Sequence, residues 1–248
     1  MIEKDAKKEA KRIIGSGEQS ELRLRVLGGL AVYLTCPSAG SHTRLSRSYA
    51  DIDLVGLGKD GPRLGAFFTG LGYTPDQRFN ALHGLTRMLF HNPEDGSHVD
   101  VFLDRFQMCH TLDLRQRLLE GYLSLTLADL LVTKLQIVEM NEKDMKDCLA
   151  IFLDHGLGSE SPQAIDRGYL AALTGRDWGL FTTLGDNLAK VKQHMGDYLQ
   201  SGEIGVVSGR VDELLQAMQA APKTLAWRAR AKIGRRLEWY DLPDEVRR

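Results

Sequence analysis

Two short runs, Asp51-Ile52-Asp53-Leu54-Val55 and His98-Val99-Asp100-Val101-Phe102-Leu103-Asp104, alternate carboxylates with apolar side chains. A two-residue period suits a strand with one face in a core, and a helix cannot gather such a run on one side. The chain is thereby committed to a sheet with one apolar face and one face that carries acids. On the first strand Asp51 and Asp53 project together, with Cα atoms about 7 Å apart, while Ile52 and Leu54 point inward. Like charges that close are unfavourable unless a cation lies between them. The pair is therefore a candidate site for a hard divalent ion, with magnesium the expected one. Asp100 on the second strand is a candidate third ligand.

Up to about Asp104 short β-rich runs are separated by turns that contain glycine, and beyond that point the pattern is helical. Leu24 to Leu27 is a short apolar segment that ends at Gly28-Gly29, followed by a helical turn over Leu30 to Leu34. Pro37 to Ser48 is polar and predicts a loop. Leu64 to Leu71 suits a helix. Thr86 to Phe90 and His98 to Leu103 suit a hairpin, joined by the turn formers Asn92-Pro93-Glu94-Asp95-Gly96. Helices are expected at 113–120, 126–140, 142–154, 162–173, 178–200, 209–220 and 223–238.

Two consecutive glycines before a helix let backbone approach a phosphate, with free N–H groups aimed at it. Gly28-Gly29-Leu30-Ala31, then Arg47-x-x-x-Asp51-Ile52-Asp53-Leu54, then the strand aspartate Asp100 resemble the G-G-x-A … R-x-x-x-D-h-D-h signature (h apolar) of the minimal nucleotidyltransferases. These belong to the DNA polymerase β-like superfamily, and the resemblance is greatest to the abortive-infection toxin group of type IV toxin-antitoxin systems. It covers roughly residues 24 to 154.

A second element lies within that range. Thr126 and Asp129 form a capping pair, and Leu127, Leu130, Leu131, Leu135 and Val138 make one stripe on the helix that follows. Lys134 falls in the middle of the stripe, where an ammonium either snorkels to water or meets a buried anion. The segment Leu130-Leu131-Val132-Thr133-Lys134-Leu135 is similar to the family's L-L-x-x-K-L motif, whose lysine contacts the nucleotide phosphates. Asn141 to Asp147 resembles the K-D-x-x-D or R-D-x-x-D element of the same block and makes Asp144 a candidate, with Asp147 behind it. Asn141 also suits a helix N-cap with Asp144 at the third helical position, a purely structural use of the same acids.

The resemblance implies an α+β chain. A nucleotidyltransferase domain over 1–110, a mixed sheet flanked by helices, is followed by a helical domain over 111–248 that contributes Lys134 to the cleft. It implies magnesium-dependent transfer of a nucleoside monophosphate from ATP or another NTP to an acceptor hydroxyl, either a tRNA end or a small molecule. Asp51, Asp53 and Asp100 would hold metal, two ions being expected. Gly28, Gly29, Arg47, Lys134 and Asp144 would bind nucleotide. The alternative is a nucleotide-binding, regulatory or immunity module that keeps the fold without turnover.

Composition closes other routes. With 32 basic and 33 acidic side chains the net charge is −1, so no long-range field draws the chain to nucleic acid or membrane. Cys36, Cys109 and Cys148 are odd in number and lack a C-x-x-C pair, which fits a reducing compartment. No run approaches 18 apolar residues and the first twelve residues alternate charges, so a cytoplasmic chain is expected. Gly56-Leu57-Gly58-Lys59-Asp60-Gly61 matches a dinucleotide fingerprint in form, but the acids on the strand before it would oppose a pyrophosphate. His91, His98 and His110 lack metal-ligand spacing and are expected on strand or turn surfaces. Lys223 to Arg236 holds six cations and no acid, and its Leu225, Ala229, Ile233 and Leu237 are expected to pack on the domain.

Overall fold

The computed structural model describes residues 3–49, 51–159 and 163–243. It is an α+β chain in which an N-terminal mixed sheet flanked by helices is followed by helices. Contacts divide it into two compact units. One comprises Met1–Thr35, Ser48–Gln107 and Thr111–Thr126; the other comprises Cys36–Arg47, Met108–His110 and Leu127–Arg248.

The first unit is built on a five-stranded sheet of order β1-β2-β5-β4-β3, with β1 at Leu24–Leu27, β2 at Ile52–Gly56, β3 at Thr74–Pro75, β4 at Arg87–His91 and β5 at His98–Leu103. β2 and β5 are parallel, with Ile52 opposite Val99 and Asp53 opposite Asp100, and the other pairs are antiparallel. A parallel pair needs a crossover, which here runs through α4 (Gly61–Gly70), β3, α5 (Gln77–His83) and β4. The alternation sorts as its period requires. Ile52, Leu54, Val99, Val101 and Phe90 are fully buried on one face, where Phe68 of α4 stacks on Phe90 at 4.2 Å. Helix α1 (Glu3–Gln19) buries Ala6, Ala10, Ile13 and Ile14, spaced as one helical stripe, and its Glu9 accepts a hydrogen bond from Tyr73 Oη at 2.6 Å.

Helix α2 (Gly28–Thr35) follows β1 without a spacer. That turn requires Gly28, whose φ is +69°, a conformation that side chains rarely adopt. The hairpin β4–β5 forms with Arg87 opposite Phe102. The helix expected at 113–120 does not form. Asp104 (φ +63°) turns the chain into a second hairpin, β6 (Arg105–Gln107) and β7 (Thr111–Asp113), before a 3₁₀ turn at Arg117–Leu119.

In the second unit the stretch expected as a loop contains a short helix, α3 (Ser38–Ser41), whose Ser38 N–H and Oγ both donate to Asp154 at 2.8 Å. Helix α6 (Leu127–Leu135) ends earlier than the stripe suggests. Asn187 Nδ2 from α9 (Trp178–His194) donates to the carbonyls of Leu135 and Ile137 at 2.8 Å and closes the helix end. Helix α7 (Glu142–Asp154) keeps its expected limits, with Asn141 Oδ1 accepting the N–H of Asp144 at 3.0 Å. Helices α8 (Arg167–Arg176), α10 (Ser201–Ala220) and α11 (Leu225–Ile233) complete the unit. The expected start of α8 at 162 lies outside the described residues.

The basic helix corrects its expectation. Leu225, Ile233 and Leu237 are exposed, and α11 docks instead through Trp227, edge-on to Phe181 at 5.5 Å, and Arg230, over Trp178 at 4.7 Å. Aromatic and cation–π contacts fix which side faces inward here, and the aliphatic stripe is left outside. No helix among the described residues is long and apolar enough to cross a membrane.

Candidate functional site

The residues singled out by sequence fall into two groups, one in each unit. The first lies on the polar face of the β2/β5 pair. Asp53 and Asp100 are register partners, and partners in a parallel pair share a face with strands about 4.8 Å apart. Asp53 is half-buried, and Asp100 is nearly covered, with 9% of its side chain exposed. Asp51 precedes β2 and is 67% exposed, with Oδ1 3.8 Å from His98 Nε2. Gly28 completes the group: a Cβ built there would stand 2.3 Å from Asp53 Oδ2. Only glycine supplies both the positive φ and the room for that carboxylate.

Arg87 was not singled out by sequence. Its Nε lies 2.9 Å from both carboxylate oxygens of Asp100, so the innermost acid is already in a guanidinium fork. The hairpin register would have revealed this pair. Arg87 faces Phe102, two residues along β5 from Asp100, and such diagonal neighbours are within reach of a long side chain.

Magnesium matches the donor chemistry of Asp51 and Asp53, which are hard carboxylates, the second lying against Gly28. It does not match a three-carboxylate set. Among the described residues no cluster of three or more His, Cys, Asp or Glu side chains is arranged to hold an ion, and Asp100 is engaged by Arg87.

The second group is a network in the helical unit. Lys134 Nζ lies 3.0 Å from Asp144 Oδ1 and 3.0 Å from Asp147 Oδ2, and Arg47 grips Asp147 through Nε at 3.1 Å and Nη2 at 2.7 Å. Asp147 is fully buried. Of the two fates open to a lysine on an apolar stripe, Lys134 takes the buried anion, and the acids come from the next helix. Burial alone would lower its pKa, but the charges of Asp147 and Asp144 outweigh burial and raise it above the ordinary lysine range. Lys134 and Arg47 thus both face acids of α7.

The remaining candidates have structural places. Gly58 N–H donates to Asp104 Oδ1 at 2.9 Å, so the Gly56-Leu57-Gly58 turn is served by a carboxylate of the chain itself. His91 meets Asp76 at 3.2 Å. His110, expected on a surface, is buried, with Nε2 2.8 Å from Thr183 Oγ1 and its backbone N–H donating to Gln136 Oε1.

No family model and no curated protein matches this sequence. Among solved structures, the solution structure of the antibiotic-resistance factor ANT(2'')-Ia is 14% identical and aligns over 60% of this chain and 84% of its own, with a TM-score of 0.40. The crystal structure of an antigenic nucleotidyltransferase-like protein from Paracoccidioides brasiliensis is 14% identical over 91% of this chain and 97% of its own, with a TM-score of 0.44.

Proposed function

We propose that this chain transfers a nucleoside monophosphate from an NTP to an acceptor hydroxyl and releases pyrophosphate, the nucleotide entering as its magnesium complex. The observation that carries the reading is one juxtaposition. Asp53 and Asp100 stand side by side on a parallel strand pair, and Gly28, at the start of α2, leaves room for the Asp53 carboxylate beside the helix start. A triphosphate brings both an excess of negative charge and a hard cation. The peptide N–H groups of Gly28 and Gly29 at a helix start suit the first, and the carboxylates of Asp51 and Asp53 suit the second.

The network around Lys134 has a different part in this reading. To meet a phosphate, Lys134 must leave Asp144 or Asp147, so any gain in NTP affinity is opposed by the ion pairs it gives up. Its first role, like that of Arg47, is to hold the helical unit together. Asp144 serves there as its counter-ion.

One observation favours a second reading, a nucleotide-binding regulatory or immunity module without turnover: the guanidinium of Arg87 already satisfies Asp100. The two separate when purified protein is incubated with each α-labelled NTP, magnesium, total RNA and a panel of small hydroxyl compounds. Labelled RNA supports a toxin-like transferase, and pyrophosphate release only with small acceptors supports an antibiotic-type or metabolic one. NTP binding without pyrophosphate supports the module.

A further inference from the structure

The acid face carries its own cation. Arg87 is 26% exposed, and its guanidinium lies over the Phe102 ring at 4.7 Å and near the Phe79 ring at 5.7 Å, so rings on two sides fix the plane in which it meets Asp100. Nε reaches both carboxylate oxygens at 2.9 Å, and Nη2 adds a third contact to Oδ2 at 2.5 Å. On the other side of Asp100 its register partner is Asp53, a second carboxylate on the same face. Without a positive charge the two acids would repel across neighbouring strands. The guanidinium supplies that charge by occupying the lone pairs that a divalent ion would use, so ion and arginine compete for the same oxygens.

We propose that Arg87 is a built-in competitor for divalent cation at Asp100. While the fork is closed Asp100 is withheld from metal, and it becomes a ligand only when Arg87 leaves it. This rests on reading the face as a divalent-ion site, and not on nucleotidyl transfer itself.

Manganese, a hard divalent ion whose free and bound forms are distinguished by paramagnetic resonance, is the probe. Full-length protein without nucleotide is titrated as wild type, Asp100→Asn, Arg87→Gln and the double variant. Asp100→Asn keeps an oxygen acceptor for Arg87 and removes no ligand in the closed state, so its Kd for Mn²⁺ stays within about twofold of wild type. Arg87→Gln opens Asp100 and tightens Kd at least about tenfold, and the double variant loses that gain. A folded Arg87→Gln protein with unchanged, weaker or no Mn²⁺ binding overturns the proposal, as does a roughly tenfold weakening in Asp100→Asn.

If Arg87→Gln does not fold without metal, recovery of its circular dichroism on adding Mn²⁺ supports the competition, and lack of recovery overturns it. No arm measures transfer. A chain that binds Mn²⁺ in this pattern without releasing pyrophosphate refutes the enzymatic reading and leaves the competition standing.

Discussion

At the scale of single residues, Gly28 is the position where the candidate site tolerates least. Any side chain there meets both the φ of +69° and the Asp53 carboxylate, 2.3 Å from a Cβ. We predict that Gly28→Ala destabilises the fold by about 1–2 kcal/mol from backbone strain alone and weakens NTP binding by displacing Asp53. A melting curve with and without Mg·NTP reads both effects, and an unchanged ligand shift would remove Gly28 from the site. Lys134 tests the opposite kind of role. In Lys134→Met, Asp144 and Asp147 lose their shared cation, while Arg47 remains beside the fully buried Asp147. Removing one partner of a buried pair costs about 3–5 kcal/mol, and the remaining arginine puts the expected loss near the lower end. At this chain length that is a fall of roughly 6–12 °C in Tm. A level or raised Tm would mean that the ion pairs contribute nothing net. That Lys134 would meet an anion or snorkel was legible from its place in the stripe. Which anion it meets was not, because Asp144 doubles as a first-turn acid of α7 and Asp147 lies one turn further along the same helix.

At the scale of elements, legibility followed the strength of the local pattern. The strands around Asp53 and Asp100 and the β4–β5 hairpin declared themselves by alternation and turn formers, and α7 by its Asn141 cap. Strands β6 and β7 have three residues each, too few to show a period, so their region read as helix. Helix α10 begins at Ser201 although Gly202, Gly205 and Gly209 weaken its propensity, because Gln200 and Glu203 close a capping box. The end of α6 depends on Asn187, 52 residues beyond Leu135, which no local window contains. Residues 108–110 carry a pH consequence of the same long-range packing. Burial among the helices lowers the pKa of His110, against the opposing pull of Asp177 and Asp241. The neutral imidazole is therefore the folded form. Its contribution is complete above the ordinary histidine value of about 6.5 and is lost as pH falls below that value towards the lowered folded one. Urea midpoints measured from pH 8 to pH 5 should fall through that acid range in the wild type and flatten in His110→Gln. Parallel profiles would show that His110 does not report on folding.

At the scale of the whole molecule, the chain passes more than once between two units. Cys36–Arg47 and Met108–His110 belong with the helices, while the segments around them belong with the sheet. Arg47 and Asp51 are close in sequence, and the family-like signature runs through both, yet they serve different units: Arg47 is held by Asp147, and Asp51 lies at the sheet face. The signature was readable as a string. Its division was not, since that depends on Asp147 and Asp154, about a hundred residues further on. The near-neutral net charge offers no general attraction for NTP, so the proposed binding rests on the local geometry of the sheet face. The most direct test of that face is transfer from α-labelled NTP with magnesium in wild type and Asp53→Asn, counting labelled acceptor and pyrophosphate together. We predict equal amounts of both products in the wild type and loss of both in Asp53→Asn, whose melting temperature stays near that of the wild type. Transfer that persists in the folded Asp53→Asn protein would contradict the placement of the reaction on this face.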